Sequence, residues 1–370
     1  MEDLTKINWD KILKALARKR CVLFLGKGAY EAAGGGDIEK ALMEHLQARN
    51  DEDPEIKMFY PDGFYLLNNK FSRDPVIDHI TEFYNQSFAK NEANFQILAQ
   101  IPFTMIFSMA PDNFLVNAYN ACGMDYTYDF FNQFVPETFK TPTIDKPLIY
   151  NLFGNIDHPE SLILTHQDLF NYLQMAFEGN RIHIDLTYQL EKEISNFIFL
   201  GLPFEKWYFQ LLLRVLALHT DKFKDVERLA LDNFDDQKML NLYTEEFDIN
   251  FIQSDVTSFL TELHRQCKEK GLLKEKQEVS AGSNLFFRSI KELIRNNNLE
   301  GAFSQLNDYV DSDSTKYADQ RNMLIIIESQ YSDLLNDFNS GILTRDEAEI
   351  SKNKTKYSLI QFIDKIQELS

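Results

Sequence analysis

The chain has 370 residues, with 38 basic and 57 acidic side chains and a formal net charge of −19. Apolar residues make up 44% and aromatics 13%, which excludes wholesale disorder and leaves room for two domains. The acidic balance argues against a general DNA or RNA binder, because a phosphate backbone would be repelled.

Cys21, Cys122 and Cys267 are too few and too far apart for a disulfide framework or a zinc ligand set, so no metal is expected. The polar opening from Met1 to Asp10 carries no secretory signal. No run approaches the roughly 20 apolar residues of a membrane span. These features predict a soluble cytoplasmic protein that contacts neither membrane nor nucleic acid.

In chain order, Asn8–Arg20 reads as an amphipathic helix, with Trp9, Ile12, Leu13 and Leu16 on one face and Arg18, Lys19 and Arg20 closing its last turn. Cys21–Leu25 is a continuous apolar run, the mark of a strand buried on both faces of a parallel sheet. Gly26-Lys27-Gly28 follows, with a helical stretch expected over Tyr30–Ala33. A second helix is expected from Asp37 to about Ala48, with Asp37 as its N-cap and Asn50–Pro54 as an acidic loop. Pro75–Phe88 and Asn91–Gln100 read as helices. Thr104–Ser108, Leu148–Phe153, Phe197–Leu200 and Ile249–Ile252 read as further short strands. Helical patterns lie between them at Leu162–Ala176, Leu186–Glu193 and Lys206–His219. Strands alternating with helices predict an α/β domain with a mostly parallel sheet.

The pattern changes near Cys267. Lys268–Ser283 is short, polar and free of strand signal, so it is the expected linker between a domain over 1–267 and one over 284–370. The second domain carries apolar stripes through Leu285–Ile294, Leu299–Val310 and Thr315–Phe338. Thr344-Arg-Asp-Glu347 then forms a capping box before a last helix. That predicts a small all-α bundle.

A strand followed by Gly-x-Gly and a helix is the geometry of a phosphate-binding turn, and the bare tight turn without a ligand is an equal alternative. Ligands of parallel sheets sit beyond the C-terminal strand ends, where Gly26–Gly28, Ser108–Asp112, Phe153–Asp157 and Gly201–Phe204 should meet.

The strings VLFLGKGA, FSMAPDNFL, LFGNIDHPESLILTHQDLFNYL and NFIFLGLPFEKW resemble, in order and spacing, the sirtuin-like NAD-binding fold. The likeness covers about residues 10–267 and is closest to the divergent bacterial branch that degrades NAD in antiphage defence. The C-terminal bundle resembles the death-fold-like effector-associated domains of prokaryotic conflict proteins. The implied fold is a Rossmann-type, mostly parallel α/β sheet followed by a small helical bundle. The resemblance implies NAD or an ADP-ribose-like nucleotide as ligand, a protein partner at the helical domain, and a homo-oligomer.

Carried over residue by residue, the family's Gly-Ala-Gly loop maps to Gly26, Lys27 and Gly28, followed by Ala29. Its Thr-x-Asn-x-Asp stretch maps to Ser108, Ala110 and Asp112. Its His-Gly pair maps to Phe153 and Gly154, and its late glycine segment to Gly201 and Leu202. Thus Gly26, Lys27, Gly28, Ala29, Ser108, Asp112, Gly154, Gly201 and Leu202 are the candidate nucleotide-binding residues. The family's asparagine, which holds the nicotinamide ribose and the attacking water, is Ala110 here. Its general-base histidine is Phe153. Ser108, Asp112, Asn155 and His158 are the residual polar candidates, with Asp112 read as a loop-fixing residue and His166 as a solvated or capping one. Phenylalanine has no titratable nitrogen, and alanine has no side-chain donor or acceptor. The leading expectation is therefore a catalytically degenerate scaffold, sensor or regulator, a pseudoenzyme. Two alternatives stand beside it. One is a nicotinamide-releasing NAD hydrolase activated by assembly or a partner, with Ala110 as an inactivating change. The other is an interaction module without nucleotide. Deacylation is disfavoured because the family's zinc module needs four cysteines.

Overall fold

The computed structural model describes residues 3–30, 36–52, 54–85, 89–132, 142–143, 146–177, 189–190, 193–216, 226–231, 236–274, 286–287, 289–291, 293–294, 298–312 and 316–367. The chain divides into two units, Met1–Gln277 and Glu278–Ser370.

The first unit is built on seven parallel strands: β1 (Cys21–Leu25), β4 (Met105–Ser108), β5 (Thr127–Phe130), β6 (Leu148–Asn151), β7 (Asn196–Leu200), β8 (Glu227–Leu231) and β9 (Ile249–Ile252). Their spatial order is β5-β6-β4-β1-β7-β8-β9. A separate antiparallel hairpin is formed by β2 (Ile56–Phe59) and β3 (Tyr65–Leu67). β1 is buried along its whole length. Its alternate side chains enter different cores, because successive strand residues point to opposite faces. Cys21, Leu23 and Leu25 join a mixed, mainly aliphatic core on one face. Val22 and Phe24 join an aromatic core on the other. There Phe24 stacks on Phe107 at 4.8 Å between centroids and meets Phe199 at 5.4 Å. Each fully buried phenylalanine of this kind contributes roughly 1.5–3 kcal/mol relative to exposure. Two apolar faces need helices on both sides, and this is a Rossmann-like arrangement.

The helices supply the cover. The first core takes residues from α1 (Trp9–Ala17), α2 (Ile38–Glu52), α3 (Arg73–Tyr84), α4 (Ala89–Gln100) and α5 (Phe114–Cys122). The second takes α6 (His166–Phe177), α7 (Trp207–Val215) and α8 (Gln237–Phe247), while α9 (Val256–Glu269) returns to the first. The cap predicted at Asp37 is present, and Asn8, expected as a helix residue, caps α1 instead. Asn8 accepts from the Lys11 amide, and Asp37 accepts from the Lys40 amide at 3.0 Å.

Several local expectations are corrected. Arg18–Arg20 lie beyond the end of α1, and Lys19 adopts φ 60° there. Tyr30 is extended rather than helical, and residues 31–33 lie outside the described residues. α2 runs on to Glu52, through half of the expected acidic loop. The helix expected from Leu162 starts at His166, because Thr165 caps it. The Thr165 hydroxyl accepts the Asp168 amide, and the Asp168 carboxylate accepts the Leu164 and Thr165 amides. Most of Leu186–Glu193 and of the expected linker lies outside the described residues. α9 crosses residue 267, and the Lys274 amide still bonds the Gln100 carbonyl of the first unit.

The second unit contains α10 (Leu299–Asp311), α11 (Ala318–Asn339) and α12 (Arg345–Gln367). Leu299, Ala302, Phe303, Leu306 and Val310 pack as one helix face against Leu324, Ile327, Leu334, Leu359, Phe362 and Ile363. Asn298 caps α10 through the Gly301 amide. Side chains 345–347 of the predicted capping box lie outside the described residues. Among the described residues, no helix is long and apolar enough to cross a membrane.

Candidate functional site

The strand order fixes where a site can form. From β1 the chain passes to β4 on one side, and from β7 it passes to β8 on the other. The crevice beyond the C-terminal ends of β1 and β7 is therefore the switch point of the sheet. Two glycine turns meet in it. The Gly26 amide donates to the Leu200 carbonyl at 2.8 Å, and the Gly28 amide donates to the Gly201 carbonyl at 2.9 Å. A Cβ on Gly26 would lie 2.1 Å from the Gly201 carbonyl oxygen. At Gly201, with φ +59°, a Cβ would lie 1.9 Å from the Ala29 nitrogen. The glycines are thus required by contact between the two turns themselves. The Ala29 and Tyr30 amides also have backbone acceptors, Gly26 and Lys27.

Beside this contact opens a cavity of about 660 Å³. Lys27, Gly28, Ala29 and Tyr30 line one side, and Gly201, Leu202 and Pro203 another. Met109 and Phe153 come from beyond β4 and β6, Tyr208 from α7, and Ser254 to Thr257 from the start of α9. Among the described residues its charged lining is one lysine, Lys27, and four carboxylates: Asp37, Glu39, Glu205 and Asp255. Glu39 lies between two cations. Its Oε1 is 3.5 Å from Lys27 Nζ, and its Oε2 is 3.7 Å from Lys206 Nζ. Burial raises the cost of its charge, but the two lysines outweigh that and hold the carboxyl below its ordinary value.

A second polar cluster sits behind the cavity, at the ends of β4 and β6. The Ser108 hydroxyl lies 3.2 Å from the Tyr30 hydroxyl and also accepts the Ala110 amide. Asp112 Oδ1 accepts the Phe114 amide at 2.8 Å, which is the loop-fixing role expected of it. Burial pushes the Asp112 carboxyl up to about 6, against the pull of the Phe114 amide, the nearby Tyr30 hydroxyl and Lys27. Asn151 and Asn155 both donate to the Tyr128 hydroxyl. The Asn155 side chain also accepts the Asp157 amide. Gly154 has φ +87°, and a Cβ there would lie 2.3 Å from the Ser161 carbonyl oxygen.

A SIR2-like domain model matches residues 104–252, and the model of Effector-associated domain 11 matches residues 285–367. The chain carries a SIR2-like domain followed by an effector-associated domain. No curated protein matches the chain. The first match begins at β4, and the sheet joins β1 and its glycine turn to the same SIR2-like fold through parallel pairing of Val22 with Met105.

Of the residues singled out in the sequence, the SIR2-like domain brings Gly28, Ala29, Lys27, Gly201, Leu202 and Phe153 to the cavity. Gly26 stands just behind them against Gly201. Ser108, Ala110, Asp112, Gly154 and Asn155 are not among the lining residues. They are packed in the interior, with Ala110 only 1% exposed, and Met109 faces the cavity in that stretch. Phe153 packs edge-on to Tyr172 and against Tyr208. His158 is elsewhere, stacked on Phe130 at 4.7 Å and 3.6 Å from Glu160. His166 is not a free solvated residue. Its Nε2 lies 2.8 Å from Asp62, which also accepts the Trp207 indole N–H, and its ring lies against Tyr60 and Phe64. No histidine lines the cavity among the described residues, and no metal-holding cluster occurs among them. His183 and Asp185 lie outside the described residues.

The turn offers few free donors to a pyrophosphate. Its Gly26, Gly28, Ala29 and Tyr30 amides already have acceptors, and carboxylates dominate the lining. Sequence reasoning missed Glu39, Lys206 and Tyr208. Glu39 carried the signal of an ordinary acidic first-turn residue, and nothing in the sequence linked it to Lys27 or Lys206.

Proposed function

We propose that this protein is a catalytically silent SIR2-like member of a prokaryotic antiphage defence system, acting in the cytoplasm as scaffold, sensor or regulator. Its effector-associated domain would engage a protein partner and support self-assembly. The observation that carries this reading is the identity of the groups at the cavity wall. By the resemblance the base position is Phe153, which lines the cavity beside Met109, and the polar-anchor position is Ala110, which is buried. Release of nicotinamide requires a stabilised cationic sugar and a delivered nucleophile. A positioned general base contributes typically about 10²–10⁴-fold. Neither Phe153 nor Ala110 can accept a proton, and Asp112 is not among the residues that line the cavity.

The test compares the natural chain with the Ala110→Asn, Phe153→His and doubly substituted forms, each incubated with NAD at low and at assembly-promoting concentration. The natural chain is expected to release nicotinamide no faster than buffer at either concentration. Catalytic release by the natural chain at either one would instead make it an NAD hydrolase, activated by assembly if only the concentrated sample turns over.

A further inference from the structure

Three separate parts of the SIR2-like domain meet at one carboxylate. Lys27 belongs to the turn after β1, Glu39 to the first turn of α2, and Lys206 to the residue preceding α7. The β2–β3 hairpin presses on the same point. Lys206 Nζ donates to the Pro61 carbonyl at 2.9 Å, and a Cβ on Gly63 would lie 3.2 Å from Glu39 Oε1. Lys27 and Glu39 both line the cavity. Each Glu39 oxygen takes one lysine, at 3.5 and 3.7 Å. Two ammonium groups flanking a planar, two-oxygen anion are what a phosphate group would also seek here.

We infer that Glu39 is a built-in counter-ion that occupies the anion position at the Lys27–Lys206 end of the cavity and closes that end to phosphate-bearing ligands. A carboxylate tethered on a helix competes at a high effective concentration with any free anion. An entering diphosphate would have to displace it while approaching Asp37, Glu205 and Asp255, all of its own sign. The depressed pKa of Glu39 agrees with a carboxylate that stays charged between its two lysines. This closure is a separate matter from catalytic silence: it concerns what enters the cavity, whichever side chains stand at positions 110 and 153.

The test is calorimetric titration of the full chain with ADP-ribose and with inorganic pyrophosphate. ADP-ribose has no nicotinamide to lose, so binding is read apart from turnover. The natural chain is expected to show no saturable binding at low-millimolar ligand. Glu39→Gln keeps the shape and removes the charge, and is expected to bind both ligands at least about tenfold more tightly, the size of a modest charge contribution. Adding Lys206→Ala to that variant should abolish the gain. Glu39→Asp is too short to span both lysines and should give an intermediate gain, and it carries the test if the glutamine variant fails to fold. Tight binding by the natural chain, or no gain in either Glu39 variant, overturns the inference. Nicotinamide assayed with NAD in parallel samples keeps the two ideas apart, since tight binding without release would defeat the closure and leave catalytic silence standing.

Discussion

The two halves of the C-terminal strand edge are built on opposite plans. Beyond β1, β7 and β8 the edge is open, with an acidic cavity bounded by glycine turns and bridged at one end by Lys27, Glu39 and Lys206. Beyond β4 and β6 it is sealed, with Ser108, Asp112, Asn151 and Asn155 hydrogen-bonded to backbone groups or to one another's partners. Polar residues in the sealed half hold loops, although Asp112 Oδ2 is buried there without a hydrogen-bond partner among the described residues. The open half keeps a ligand-sized space but presents Phe153, Met109 and Tyr208 to it. The contacts that hold the cavity open and those that hold the polar cluster in place are different ones.

Glycine replacements should break both halves alike. Gly201→Ala meets the Ala29 nitrogen at 1.9 Å, and Gly154→Ala meets the Ser161 carbonyl at 2.3 Å, both at positive φ. Overpacking and strained backbone together should cost at least about 3 kcal/mol in each, read by urea denaturation. A loss below about 1 kcal/mol at Gly201 would show that the two turns are not in tight contact.

Asp112 distinguishes the sealed half through pH. Its carboxyl is raised from 3.8 to about 6 by burial, so the folded state holds the proton longer than the unfolded chain. Its contribution to stability is full below about pH 4 and is lost as pH rises through about 6, a span of about 3 kcal/mol. Asp112→Asn should remove that slope and gain stability relative to the natural chain near neutral pH. Parallel pH–stability curves for the two proteins would contradict the assignment. Tyr128→Phe removes the shared acceptor of Asn151 and Asn155 and should cost about 1–3 kcal/mol, with one N–H of each amide left unpaired while the other still bonds Asp112 or Asn113. In the open half, Glu39→Gln should change stability by less than about 1 kcal/mol, because its lysine contacts are partly solvated. A larger loss there would make Glu39 a structural element of the first unit.

The sheet centre was legible because its strands are continuous apolar runs: Cys21–Leu25, Met105–Ser108 and Asn196–Leu200 are buried at every residue. β5 escaped notice because Thr127–Phe130 is an edge strand, half-buried throughout. β8 escaped because it opens with Glu227 and Arg228, a charged pair that reads as loop. The hairpin β2–β3 has strands of only four and three residues, too short to show an alternating pattern. At the site, the three glycines stood out because only backbone contact explains them. Glu39 and Lys206 did not, since they meet Lys27 only through the fold. Ala110 and Phe153 were found as substitutions, yet only Phe153 reaches the cavity, because the chain between β4 and Asp112 turns Met109 toward it.

The most direct measurement is a single-turnover experiment: the purified full-length chain mixed with an equal amount of NAD, with free nicotinamide followed by chromatography over a day. A cavity walled by Phe153 and Met109 predicts a trace that stays on the buffer control throughout. Release approaching one nicotinamide per chain would contradict the account, since it would mean that the chain cleaves NAD without a histidine at position 153 or an asparagine at position 110.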